Sequence, residues 1–160
     1  MTIINIFGST GVIGKKNLEL IKDFFPKIKV NLLLTNKKFK ELADQARLFK
    51  ANYVCIRDDS KYKLLLKELL DTNIKVIHHN EILDFIKTSK SDMTILSVSG
   101  NFALKYIEPI IINTKILGLV NKECIVSAGN IINKLCLKYS TKLFAIDSEH
   151  YSIQNFFDRL

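Results

Sequence analysis

The sequence predicts a doubly wound α/β fold with a mostly parallel sheet. Two observations carry this prediction. Seven short β-rich runs alternate with six intervals that are each long enough for a crossover helix, and an alternation of this kind is typical of parallel sheets. Several runs, such as NLLL and TILSV, are almost continuously apolar, as strands buried on both faces require. The runs cover residues 2–7, 28–34, 52–56, 74–77, 93–98, 115–120 and 142–147.

The intervals between these runs carry helical patterns of different strength. The last long interval has the clearest one, because its apolar residues recur at alternating spacings of three and four and so line one face of a helix. These residues are Ile125, Ala128, Ile132, Leu135 and Tyr139. The first interval is expected to form a helix with an apolar pattern at Ile13, Leu20, Ile21 and Phe24.

Length and composition predict one globular domain with a substantial core. The chain has 160 residues, of which 48% are apolar, and only two prolines. No apolar stretch reaches the roughly 18 residues of a membrane span, and the start has no basic region before its apolar run, so we expect no membrane partner and a cytoplasmic location. Three cysteines without a CxxC motif indicate reduced thiols buried as small apolar residues.

The net charge of +8 raises the possibility of nucleic-acid binding. The lysines, however, are spread along the whole chain, and the densest group is only NKKFK at residues 36–40. A solvated, lysine-rich surface explains the charge better, so no nucleic-acid partner is expected. The alternative rests on Phe39, because single-strand binding proteins place aromatic side chains among basic ones.

A glycine-rich turn, GSTGVIG, follows the first predicted strand directly. Gly8, Gly11 and Gly14 are three residues apart and precede a helical pattern. Between a strand and a helix, such glycines let the backbone turn sharply, approach a pyrophosphate and direct the helix N-terminus at its charge. The turn therefore predicts dinucleotide binding on a Rossmann-like domain, and a purely structural tight turn is the alternative.

The end of the second predicted strand indicates which dinucleotide is bound. An NAD site usually has an acidic residue here that holds the ribose hydroxyls. This chain has Thr35, Asn36, Lys37 and Lys38 instead, and its first carboxylate is Glu41. Lysines neutralise a 2′-phosphate that a carboxylate would repel, so the sequence favours NADPH over NADH.

Together with these features, a third motif, NKECIVSAG at residues 121–129, and a fourth, IDSEH at residues 146–150, resemble the 1-deoxy-D-xylulose 5-phosphate reductoisomerase family. The family pattern is roughly GSTGSIG, then ANKES, then DSEH. The resemblance implies an NADPH-dependent enzyme that makes 2-C-methyl-D-erythritol 4-phosphate in non-mevalonate isoprenoid biosynthesis. Its substrate would be a small sugar phosphate, and the full-length protein would be a homodimer.

The resemblance also assigns roles to particular residues. Lys122 matches a lysine that holds the substrate, and Ser148 matches a further substrate contact. Asp147 and Glu149 match two of three carboxylate ligands for Mg²⁺ or Mn²⁺, which prefer such hard oxygen donors. The cofactor-binding positions are Gly8, Thr10, Gly11, Val12, Ile13, Asn36, Lys37, Lys38, Asn121 and Glu123. In three of the family's positions this chain differs, with Val12 and Cys124 replacing serine and Asn36 replacing glycine.

The three histidines receive no catalytic role. His150 lies beside the two expected metal ligands and is interpreted as a packing or supporting residue. His78 and His79 are adjacent, and adjacent residues of a strand point to opposite faces. We therefore expect that they cannot bind one ion together.

The chain is expected to divide into an NADPH-binding domain at residues 1–141 and the start of a catalytic domain at residues 142–160. Family members continue with a third metal ligand, a mobile loop that carries a tryptophan and a helical C-terminal domain, whereas this sequence has no Trp. The resemblance thus implies a fragment of a longer polypeptide that is inactive alone. Two alternatives are another NADP-dependent oxidoreductase and a basic module that binds nucleotides or nucleic acid.

Overall fold

A computed structural model describes residues 1–98 and 100–146. Within these residues, seven strands form one sheet, and every strand pairs in parallel with its neighbours. The strands are β1 (Ile3–Phe7), β2 (Lys29–Thr35), β3 (Tyr53–Ile56), β4 (Lys75–Ile77), β5 (Ser91–Leu96), β6 (Thr114–Leu119) and β7 (Lys142–Ala145). All seven predicted strands are confirmed.

A helix fills each of the six intervals between strands, as predicted. The helices are α1 (Val12–Phe24), α2 (Phe39–Leu48), α3 (Tyr62–Glu68), α4 (Ile82–Thr88), α5 (Leu104–Asn113) and α6 (Lys122–Tyr139). Two short 3₁₀ turns, Asp59–Lys61 and Asn101–Ala103, precede α3 and α5. The strand order is β4-β3-β2-β1-β5-β6-β7. This confirms the predicted doubly wound α/β fold.

The strand order has one reversal, which lies beside β1. The chain builds outward from β1 to β4 and then crosses back to add β5, β6 and β7 on the other side of β1. In an open parallel sheet the connections diverge at such a point and leave a crevice at the carboxyl ends of the strands. The loops after β1, β2 and β5 therefore meet at one place.

The sheet is buried on both faces because its central strands are apolar at consecutive positions. In β2 six of seven residues are buried. Leu32 and Leu34 belong to the core on one face, together with Phe7, whereas Leu33 belongs to the other face, together with Ile6. Each face is then covered by helices, which explains why the strands lack an alternation of polar and apolar residues.

The predicted apolar face of α6 is confirmed. Ile132 is buried, and the other four residues of the pattern are partly buried against the core. Cys124 and Cys136, on the same helix, are also buried. All three cysteines are free and buried, as expected, and burial raises the pKa of the Cys55 thiol to about 12.

The predicted apolar face of α1 is wrong in part. Ile21 is buried, but Ile13, Leu20 and Phe24 are 37%, 42% and 69% exposed. The helix instead contacts the sheet through Gly14, Leu18 and Ile21. Gly14 has no side chain and so allows close approach of the helix to the preceding loop, a contact that counting apolar residues cannot detect.

The last strand belongs to the same sheet as the others. β7 pairs in parallel with β6, through Leu117 opposite Leu143 and Gly118 opposite Phe144. The sequence predicted that a second domain starts at residue 142. Lys142–Ala145, the first residues after that boundary, nevertheless belong to the same sheet as the preceding strands. No helix in the described part of the chain is both long and apolar enough to cross a membrane.

Candidate nucleotide-binding site

The glycine-rich turn lies at the reversal of strand order and is shaped by two of its glycines. Gly8 has a φ of +86°, and its N–H donates to Leu34 O at 2.7 Å, at the end of β2. A Cβ on Gly8 would lie 2.7 Å from Ser97 O, after β5, and a Cβ on Gly14 would lie 2.2 Å from Gly8 O. Both distances are shorter than a side chain tolerates. The fold of the turn therefore requires glycine at positions 8 and 14, whether or not a ligand binds.

Gly11 differs from the other two glycines. Its φ is −78°, which any residue can adopt, and a Cβ there would approach only Gly8 O, at 3.2 Å. It is the N-cap residue of α1 and provides no side-chain cap. Because the first N–H groups of a helix have no partners within the helix, those of α1 can bind an anion. Val12 and Ile13, the first two residues of α1, are exposed beside them.

Neighbouring elements hold the turn in place. The Thr10 and Thr35 hydroxyls hydrogen-bond to each other and so join the turn to the end of β2. Gln45 Nε2, from α2, donates to Ser9 O at 3.0 Å. Thr10 is only 4% exposed. The Thr10 hydroxyl is therefore used within the protein, which the sequence alone did not reveal.

The turn forms one wall of a cavity of about 340 Å³ at the carboxyl edge of the sheet. Its lining residues are Gly8, Thr10, Gly11, Thr35, Asn36, Lys37, Lys38, Arg57, Ser97 and Val98. Six predicted cofactor residues are thus brought together, three from the turn and three from the loop after β2. The lining includes three cationic side chains and no acidic one, so the cavity suits a phosphorylated ligand.

A second cavity, of about 390 Å³, lies at the opposite edge of the sheet, beside the amino ends of β3 and β4. Ligands of open parallel sheets bind at the carboxyl ends of the strands. We therefore assign the candidate site to the cavity at the glycine-rich turn.

The two predicted lysines are not equivalent. Lys38 Nζ lies 3.4 Å from a Glu41 carboxylate oxygen and 3.5 Å from Thr10 O. Glu41 also pairs with Lys15. Partial burial acts to raise the pKa of Glu41, but hydrogen bonds and charge from Lys15 and Lys38 outweigh it, so the pKa lies below its ordinary value of 4.5. Lys38 is therefore partly neutralised, and Lys37 is the freer of the two cations.

Arg57 is a third cationic residue at the cavity, and the sequence reasoning missed it. It follows β3 directly, and its backbone N–H donates to Thr35 O at 3.0 Å. Its guanidinium carbon lies 3.2 Å from the centroid of the Phe102 ring, so the planar group is held against an aromatic face. The signal was available, because a polar residue at the end of the strand next to β2 must lie near the loop that follows β2.

Asn121 begins α6 and joins it to the loop after β5. Its side-chain oxygen accepts from Cys124 N at 3.1 Å and caps the helix. Its amide nitrogen donates to Val98 O at 2.7 Å and to Gly100 O at 2.8 Å. Both amide hydrogens are thus used within the protein, although the sequence predicted a contact with the nicotinamide side. Asn121 holds the cavity residue Val98 in position.

The remaining predicted residues lie away from this cavity or beyond the described part of the chain. Lys122 and Glu123 are exposed in the first turn of α6 and do not line the cavity. Asp147, Ser148, Glu149 and His150 lie outside the described residues.

The expectation that His78 and His79 cannot share an ion is wrong. β4 ends at Ile77, so both residues follow the strand, and the alternation of strand side chains does not apply to them. Their ring centroids are 4.3 Å apart, and both rings reach Asp59.

The aromatic residue that supported nucleic-acid binding is only partly exposed. Phe39 is partly buried and packs against the core, on the face that includes Leu42 and Ala43. The lysines around it remain at the surface, so this segment lacks the exposed aromatic platform that single-strand binding proteins use.

One known protein family matches most of the chain, including the glycine-rich turn. The family model described as 1-deoxy-D-xylulose 5-phosphate reductoisomerase matches residues 4–129. The chain belongs to this family. The match includes the turn, the loop after β2 and the start of α6, which are three of the four motifs that carried the resemblance.

Individual relatives extend the similarity over nearly the whole chain. The 1-deoxy-D-xylulose 5-phosphate reductoisomerase of Pelagibacter ubique (strain HTCC1062) is 37% identical over 160 residues, which cover 99% of this chain and 41% of the relative. The enzyme of the same name from Wolbachia pipientis subsp. Culex pipiens (strain wPip) is 35% identical, over 96% of this chain and 39% of the relative. The chain thus spans about two fifths of the length of these reductoisomerases.

Solved structures of the family have the same fold. The reductoisomerase from Zymomonas mobilis, in complex with NADPH, superimposes with a TM-score of 0.87 and 30% identity, over 93% of this chain and 39% of that one. A reductoisomerase in complex with NADPH, fosmidomycin and magnesium superimposes with a TM-score of 0.85 at 24% identity, which is evidence for the fold alone.

Proposed function

We propose that this chain is the NADPH-binding part of a 1-deoxy-D-xylulose 5-phosphate reductoisomerase. The observation that carries the proposal is the cavity at the reversal of strand order, where an uncapped helix N-terminus meets three cationic side chains. The whole enzyme would convert 1-deoxy-D-xylulose 5-phosphate to 2-C-methyl-D-erythritol 4-phosphate. The solved complex of the Zymomonas mobilis relative with NADPH supports the choice of cofactor.

Different residues of the cavity bind different parts of the cofactor. The first-turn N–H groups of α1 bind the pyrophosphate, whose charge the helix dipole also favours. Lys37 and Arg57 hold the 2′-phosphate, and Asn36 offers a polar side chain beside them. Arg57 suits this role because its guanidinium is fixed on Phe102 before the ligand arrives. When bound, NADPH supplies the hydride of the reaction.

The start of α6 orients the substrate side of the site. Asn121 fixes this helix to Val98, and Val98 lines the nucleotide cavity. Lys122, in the first turn, would hold the anionic substrate, with Glu123 toward the nicotinamide. Ser148 would add a further substrate contact.

Asp147 and Glu149 would provide two ligands of a Mg²⁺ or Mn²⁺ site. Carboxylate oxygens are the donors that these hard cations prefer. The bound ion would polarise the substrate oxygens as a Lewis acid. In the sequence Asp147 and Glu149 come two and four residues after the end of β7, which is an edge strand of the sheet in the described part of the chain.

The remaining parts of the proposal concern the whole protein. Its substrate is a small sugar phosphate, it acts as a homodimer in the cytoplasm, and it binds no nucleic acid. The partly buried position of Phe39 supports the last point.

The experiment that tests the proposed function joins this chain to the rest of a relative. A chimera of residues 1–160 with the remaining C-terminal part of the Pelagibacter ubique enzyme should oxidise NADPH when 1-deoxy-D-xylulose 5-phosphate and Mn²⁺ are supplied. Asp147→Asn in the chimera should abolish this oxidation and leave NADPH binding unchanged, because it removes one ligand charge at nearly constant shape. Full activity of the Asp147→Asn chimera would contradict the metal assignment, and a folded chimera that binds no NADPH would contradict the function.

A further inference from the structure

Asp59, His78 and His79 form a compact cluster that the proposed reaction does not use. Asp59 lies in the 3₁₀ turn after β3, and the two histidines follow β4. His78 Nε2 lies 2.9 Å from Asp59 Oδ1, and His79 Nδ1 lies 3.5 Å from the same oxygen. The three potential ligand atoms all lie within 4.8 Å of one another. Two loops at the carboxyl edge of the sheet therefore place three metal-binding groups together.

The spacing of these atoms fits one small cation. Zn²⁺ binds imidazole nitrogen and carboxylate oxygen at about 2.0–2.2 Å in tetrahedral geometry, which places neighbouring ligand atoms about 3.4 Å apart. The two separations from Asp59 Oδ1, 2.9 and 3.5 Å, bracket this value, and the two imidazole nitrogens lie within 4.8 Å of each other. A cation can therefore replace the protons between these atoms with only small side-chain movements.

One ligand atom of the cluster lacks a hydrogen-bond partner. His79 Nδ1 is buried and unpartnered within the described part of the chain, although it points toward Asp59. The His78 ring is held edge-on by Tyr62, with a centroid separation of 4.7 Å. A buried polar atom without a partner costs free energy, and a cation between the ligands would remove that cost.

The metal-free arrangement assigns the His78 proton. Asn80 N donates to His78 Nδ1 at 3.3 Å, so Nε2 carries the hydrogen that is donated to Asp59. A cation on Nε2 moves that hydrogen to Nδ1 and releases the Asn80 N–H to water. Asn80 is exposed, and the lost hydrogen bond is long, so this rearrangement opposes binding only weakly.

We propose that Asp59, His78 and His79 bind one divalent cation of the borderline class, with Zn²⁺ as the preferred ion. Two imidazoles favour Zn²⁺ over Mg²⁺ or Ca²⁺, which prefer all-oxygen sites. Water completes the coordination, because the Asp59 side chain is 69% exposed. The site uses neither Asp147 nor Glu149 and does not depend on the reductoisomerase assignment.

The cation would stabilise the segment that supports the nucleotide cavity. Asp58, beside Asp59, donates its N–H to Asn36 O at 3.0 Å, and Asn36 lines that cavity. A bound ion joins the loop after β3 to the loop after β4. It therefore limits movement of the 3₁₀ turn next to Asn36.

The test is a titration with Zn²⁺ and with Co²⁺, whose absorption spectrum reports tetrahedral coordination. The chain carries Asp147→Asn, Glu149→Gln and His150→Gln, so that ions at the other motif are excluded, and it is kept reduced. We expect one equivalent to bind. His78→Gln and His79→Gln should each lower the affinity by at least about tenfold, since even the loss of a group that supports a ligand costs that much. Glu81→Gln is the control, a nearby exposed carboxylate outside the cluster, and should bind like the parent.

The melting temperature shows whether Zn²⁺ binds the folded chain or the cysteine thiols that unfolding exposes. Binding at the cluster should raise the melting temperature with increasing Zn²⁺, because the ion binds the native state. Asp59→Asn should remove this rise and leave the melting temperature in EDTA close to that of the parent. Absence of binding by the folded parent would overturn the proposal, and so would equal affinity in a His78→Gln, His79→Gln double variant.

Discussion

At the scale of single residues, the three glycines of the turn have different functions. Gly8 and Gly14 are required by packing, because a Cβ at either position meets backbone atoms at less than 3 Å. Gly11 has an ordinary φ, and a Cβ there would lie 3.2 Å from Gly8 O, a close contact that a shift of a few tenths of an ångström relieves. Its lack of a side chain therefore benefits a ligand more than the fold, and the two effects can be separated by substitution.

We predict that Gly11→Val keeps the fold but lowers NADPH affinity by more than about tenfold, since its side chain occupies the approach to the first turn of α1. Gly14→Val should fail to fold, because its Cβ would lie 2.2 Å from Gly8 O. Circular dichroism and nucleotide titration measure the two effects. Undiminished NADPH binding by Gly11→Val would mean that the turn is structural only.

Single residues also mark the limit of prediction from sequence. The glycines and lysines were found because each group directly follows a recognisable strand, at a position where dinucleotide-binding domains contact their ligand. Arg57 and Val98 were missed, because they reach the cavity only through the order of strands in the sheet. The commitment of the Asn121 amide to Val98 and Gly100 depends on atomic distances that no pattern provides.

At the scale of elements, α1 and α6 both begin at the carboxyl edge of the sheet, but their first turns differ. α1 has no side-chain cap, whereas Asn121 caps α6. Uncapped N–H groups are available to a ligand, and capped ones stabilise the helix. We therefore expect the start of α1 to bind a ligand, whereas the start of α6 positions neighbouring loops.

We predict that Asn121→Ala lowers the free energy of unfolding by about 2 kcal/mol, since it removes a helix cap and leaves two carbonyl groups without their donor. Asn130→Ala is the matched control at an exposed position of the same helix. It should be neutral or slightly stabilising, because alanine has the higher helix propensity. Urea unfolding of both variants tests the prediction, and an equal effect of the two substitutions would refute the role given to Asn121.

The elements themselves were predictable to different degrees. All seven strands were found, because strands buried on both faces are continuous apolar runs. The face of α1 was partly wrong, because the helix packs through Gly14, which contributes no apolar signal. The predicted run and β4 both end at residue 77, but the alternation of strand side chains was applied to His78 and His79 beyond that end, and this concealed their contact with Asp59.

At the scale of the whole molecule, the strand order converts distant sequence motifs into one site. Residues 8, 10–11, 35–38, 57 and 97–98 surround a single cavity, because β3, β2, β1 and β5 are consecutive in the sheet. The membership of the chain in the reductoisomerase family agrees with this arrangement. The central claim is that this cavity selects a dinucleotide with a 2′-phosphate.

The most direct test of that claim is a titration of the purified chain with NADPH and with NADH under identical salt conditions. NADPH should bind at least about tenfold more tightly, because a hydrogen bond to a charged group contributes about 1.5–3 kcal/mol. Replacing both Lys37 and Lys38 with Glu should abolish this preference by charge repulsion, whereas Lys40→Glu, outside the cavity, should retain it. Equal affinity of the unmodified chain for the two nucleotides would contradict the account.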